Sequence, residues 1–166
     1  MEIRHALKNQ HHAALAMLRE AIEICPEDLW LWGEHPRTFW RIAYHAAGYA
    51  HLYLYESLDD WKPWHKANNA CAILEGEVEE NEPYTREEML ELVDLIDREV
   101  GSRIDALNLD DPHCGFRWYP TVSRVELLIL SLRHLHGHLG QLHEHLIARG
   151  LDVEWRGPAP SVTAPA

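Results

Sequence analysis

Histidine is the residue in excess, with 13 in a chain of 166, and its usefulness as a metal ligand depends on which rings can reach one ion. Five of them, His134, His136, His138, His143 and His145, fall in one helical stretch. Only His134 and His138 stand three or four residues apart. On a helix that spacing puts two side chains on one face with Cβ atoms roughly 5–6 Å apart, close enough for two imidazoles to meet a divalent ion at about 2.0–2.1 Å. His136 and His143 project to another side. His45 sits in a second helical stretch, one residue off the apolar stripe at Ala46, as His134 and His138 are offset from Leu135 and Leu139. His51 also flanks that stripe, but six residues on it points elsewhere, and geometry favours His45 as the third ligand.

Three neutral imidazoles leave a coordination position open, the pattern of catalytic zinc sites. Such an ion lowers the pKa of a bound water or thiol, which makes hydrolysis and thiol transfer accessible. Zinc is the expected metal, with nickel or ferrous iron as alternatives. Trp40, Arg41, Tyr44 and Tyr49 surround His45 in sequence, and Arg117, Trp118 and Tyr119 precede the other pair. They are candidates for a pocket mouth with apolar walls and a carboxylate-binding arginine. The competing reading makes these aromatics core or dimer surface. Gln141 could bond a ligand histidine, and Gly140 is read as permitting close helix packing. His113–Cys114 lacks partners for an ion, Glu75–Glu80 reads as a solvated loop, and Cys25 and Cys71 have no activating neighbour.

The elements that must carry these residues are helices. Val125, Leu128, Leu132, Leu135, Leu139, Leu142 and Leu146 recur in steps of three and four, Ser123-Arg-Val-Glu126 reads as a capping box, and Gly150 as the stop, giving a helix over about 124–149. Thr85-Arg-Glu-Glu88 opens another over about 86–107. Pro36 suits the first turn of a helix over about 36–58, and Pro26 closes one over about 2–24. No segment alternates with period two. The expected fold is all-α: a four-helix bundle, up-down-down-up, with a long crossover at about 59–84 between helices 2 and 3. A short extra helix near 64–74 fits inside that crossover. Residues 1–156 form the expected domain and 157–166 a flexible tail.

The net charge of −12 disfavours nucleic acid and anionic membranes as partners. No stretch approaches the roughly 20 apolar residues of a membrane span, the N-terminus lacks an apolar signal region, and the three cysteines show no disulfide pattern. A cytoplasmic location is expected.

Two segments, Phe39-Trp-Arg-Ile-Ala-Tyr-His45 and Arg133-His-Leu-His-Gly-His-Leu-Gly-Gln141, carry a resemblance to the DinB-like superfamily, with its YfiT-type metalloenzymes. The second resembles the family's H-x3-H-x-G-Q pattern, the first its aromatic-rich segment ending in a lone histidine, and the likeness spans roughly residues 2–149. The resemblance implies His45, His134 and His138 as ligands, the up-down-down-up bundle, a homodimer, and small-molecule chemistry that in some members uses low-molecular-weight thiols. The expected function is therefore a metal-dependent thiol (S-)transferase or hydrolase. The alternatives are a structural metal site in a dimeric interaction protein, and a plain bundle with accidental histidines.

Overall fold

A computed structural model describes residues 3–157. Residues 158–166, all but the first of the expected flexible tail, lie outside the described residues. Among the described residues the chain is all helical, with no strand. The helices are α1 (Ile3–Ile24), a single turn α2 (Glu27–Trp30), α3 (Phe39–Leu52), α4 (Arg86–Ala106) and α5 (Arg124–Ile147), with one 3₁₀ turn at Asn69–Ala72. The expected short helix near 64–74 is this tighter turn, capped by the Asn68 side chain on the Ala70 amide.

Apolar periodicity decides which face each helix buries. Leu7, Ala14, Leu18, Ala21 and Ile22 of α1 meet Met89, Leu92, Val93, Ile96 and Val100 of α4, while Leu128, Leu135, Leu139, Leu142 and Leu146 of α5 complete the same core. Truncating one such leucine costs about 2–5 kcal/mol. Both capping boxes are formed: Thr85 with Glu88 and Ser123 with Glu126 exchange side-chain and backbone hydrogen bonds.

Cross-helix pairs give the directions. Arg4 and Lys8 near the start of α1 reach Ile104 and Asp105 at the end of α4, and Arg19 reaches Asp94, so α1 and α4 are antiparallel. Tyr84 meets Trp40 and Tyr44 at one end, and Tyr55 bonds Glu99 at the other, so α3 and α4 run parallel. Gln141 lies by Arg37 and Arg124 by Tyr55, so α3 and α5 are antiparallel. This is the up-down-down-up bundle, with α3 and α4 joined by the long crossover.

The second long helix is shorter than its expected span of 36–58. It begins at Phe39 behind Thr38, and Pro36 lies in the preceding turn, where the Arg37 amide bonds Glu34 O and the Phe39 amide bonds Trp32 O. At the other end the Leu54 and Tyr55 amides switch to carbonyls three residues back. Buried Arg124 then takes the Tyr55 and Glu56 carbonyls at 3.0 and 2.9 Å, which diverts the chain from the helix axis. Gly115 packs against the same corner: its φ is +83° and an added Cβ would stand 1.9 Å from Glu56 O. Gly140 is exposed with nothing near its missing Cβ, so it does not serve close helix packing.

Candidate metal centre

The antiparallel pairing of α3 with α5 brings His45 level with His134 and His138. His45 Nε2 stands 2.9 Å from His134 Nε2. The ring centroids of the three imidazoles are 4.5–4.8 Å apart, and one nitrogen from each lies within 4.8 Å of the others. This is a three-histidine group that could hold a metal ion. A tetrahedral zinc at about 2.0–2.1 Å from each nitrogen holds two of them roughly 3.3 Å apart, so accepting an ion asks the His45–His134 pair to part by a few tenths of an ångström.

For His45 and His138 the outward nitrogens fix the tautomers. His45 Nδ1 lies 2.6 Å from Ala72 O, an acceptor only, so Nδ1 carries the proton and Nε2 keeps its lone pair. Gln141 Oε1 accepts from Arg37 Nη2 at 3.2 Å and from His138 Nδ1 at 3.0 Å, which leaves His138 Nε2 free. Such partners orient metal-ligating rings. His134 Nδ1 is buried and has no hydrogen-bond partner, so this ring is held by packing and by its Nε2, which donates to the lone pair of His45 Nε2 at 2.9 Å. Burial pushes the His45 and His134 imidazoles down to about 4, the latter helped by its two neighbouring histidines, and burial also lowers His138. The three are neutral at pH 7, the form that ligates. The donor set thus suits zinc, nickel or ferrous iron.

The triad opens into a cavity of about 720 Å³ beneath the crossover. Its walls are aromatic and aliphatic, and include Tyr44, Tyr49, Trp118 and Tyr119 of the sequence-derived set. Tyr49 stacks within 4.8 Å of His45 and 5.3 Å of His134, centroid to centroid. The rest of that set lies elsewhere. Trp40 is buried against Tyr84, Arg41 is fully buried and bonded to the carbonyls of the 3₁₀ turn, and Arg117 is exposed and outside the lining. Gln141 serves through His138.

His51 is turned from the triad, with Nδ1 accepting from Trp61 Nε1 and Nε2 facing Glu99. His136 meets Trp155 edge-on, and the Cys114 thiol lies 3.4 Å from Tyr119 O while His113 is exposed. Burial raises the Cys25 thiol to about 12 and also raises Cys71, keeping both protonated. Sequence reasoning missed Arg37 and the crossover aromatics Trp61 and Trp64, which line the cavity. Assigning Pro36 to a helix start hid Arg37, and no periodic signal marks a tryptophan in a loop.

No family model matches the chain, and no curated protein matches it. Fold and site together define the class: an all-helical bundle with a three-histidine group, facing a roomy apolar cavity, that could hold an ion. No described helix is long and apolar enough to cross a membrane.

Proposed function

We propose that the protein is a metal-dependent enzyme of the DinB-like type that acts on small molecules by thiol transfer or hydrolysis. The observation that carries this reading is the joint presence of three convergent neutral imidazoles and a cavity of about 720 Å³ beside them, within the size range of small-molecule sites. A divalent ion held by three histidines activates a water or a thiol in its remaining position. The chain's own part is to orient His45 through Ala72 and His138 through Gln141, and to exclude bulk water with the aromatic walls. Zinc is the ion we favour over nickel and ferrous iron. A low-molecular-weight thiol as co-substrate, a homodimer and a cytoplasmic location belong to the same reading. Their support is the resemblance at Phe39–His45 and Arg133–Gln141.

Cobalt makes the test visible. Protein loaded with one cobalt ion per chain and titrated with 2-mercaptoethanol is expected to gain a strong sulfur-to-metal absorption, absent from His45→Ala protein. Fully loaded protein that responds to neither thiol nor small anions has no open position, and the site is then structural.

A further inference from the structure

Among the described residues, Arg37 and Glu75 are the only ones with a formal charge in the lining of the triad's cavity, and they differ in how they are held. Glu75 is exposed on the crossover. Arg37 is anchored: one of its five N–H donors is given to Gln141 Oε1, the oxygen that also holds His138, and no carboxylate pairs with the others among the described residues. The three histidines add no negative charge to the site, so a divalent ion there would leave its own charge uncompensated. The rest of the lining includes planar apolar groups, Tyr49, Trp61 and Trp118 among them.

We propose that this cavity takes a small organic carboxylate with a planar apolar body, its carboxylate paired with Arg37 and its body against Tyr49, Trp61 and Trp118. A guanidinium presents parallel donors that match the two oxygens of a carboxylate, and its exposure lets a ligand reach it without rearrangement. The aromatic faces supply the apolar burial that a carboxylate alone cannot use. The inference rests on reading the cavity as a small-molecule site and does not require the metal.

Calorimetric titration with 3-phenylpropionate, its neutral amide, 3-phenylpropylamine and acetate tests it, on zinc-loaded and on metal-free protein. The acid is expected to bind at least about tenfold more tightly than the amide and than acetate, in both forms of the protein. Arg37→Gln should remove that preference over the amide in metal-free protein while leaving amide affinity unchanged. Equal binding of acid and amide, a preference untouched by Arg37→Gln, tighter binding of the amine, or acetate binding as well as the aryl acid would each overturn it. A chain that retains no zinc but still shows the Arg37-dependent preference refutes the metal reading and leaves this one standing.

Discussion

Arg41 and His45, one helical turn apart on α3, hold the same 3₁₀ turn. Arg41 donates from Nη2 to Ala70 O at 2.5 Å and from Nε to Ile73 O at 3.3 Å, and between those carbonyls Ala72 O accepts from His45 Nδ1 at 2.6 Å. Arg41 is fully buried, none of its hydrogen bonds goes to a carboxylate, and its Nη1 has no partner. Burying a guanidinium on such terms is costly. What it secures is a turn held rigidly enough to fix which His45 nitrogen carries the proton.

Arg41→Met and Arg41→Lys should therefore lower zinc affinity by roughly 10–100-fold, the usual effect of losing a ligand's supporting partner. Arg124→Met is the control, since Arg124 is equally a buried clamp on two carbonyls but bonds Tyr55 and Glu56 instead. Competition with a chromophoric chelator measures both. Equal losses in the two proteins would reduce the effect of Arg41 to general destabilisation.

Zinc content after dialysis separates the histidines of α5. His134→Ala and His138→Ala should lose the ion, whereas His136→Ala and His143→Ala should keep about one per chain, because neither belongs to the convergent group. Uniform loss across the four would contradict the geometry of the site.

Acid should unfold the metal-free protein in a defined window. Burial holds His11, His45 and His134 down at about 4, against 6.5 for a free imidazole. Between those values the unfolded chain binds protons that the folded chain refuses, so stability is full above about 6.5 and falls progressively towards pH 4. His11, which is 1% exposed, accounts for up to roughly 3 kcal/mol of that fall. Urea midpoints across the window should decline less steeply in His11→Leu than in the parent protein. Identical slopes would show that His11 is not the source.

Two glycines should respond oppositely to alanine. Gly115→Ala strains a positive φ and drives a methyl into Glu56 O, which should cost roughly 2–4 kcal/mol. Gly140→Ala, in the open on α5, should gain about 0.5–1 kcal/mol through helix propensity. Thermal melts read both, and a stable Gly115→Ala protein would mean that the Glu56 corner yields easily.

The helices were legible because their causes are local. Steps of three and four between leucines, Thr85 with Glu88, Ser123 with Glu126 and Pro26 act within a few residues, so the bounds of α1, α4 and α5 fall within two residues of expectation. The pairing of His134 with His138 is equally local, being a property of one helix face. Where α3 stops is not local: Arg124, some seventy residues away, takes the carbonyls that would have continued it. Nor does the sequence say that Arg41 serves a backbone turn, that Arg37 rather than Arg41 or Arg117 lines the cavity, or that Trp61 and Trp64 close over it. Those roles depend on which loop packs over which helix. A long polar crossover has no periodicity to announce its path, which is set by carbonyls that find donors on α3, by Trp64 and Lys66 bonding Glu91 of α4, and by the burial of Trp64, Cys71 and Leu74.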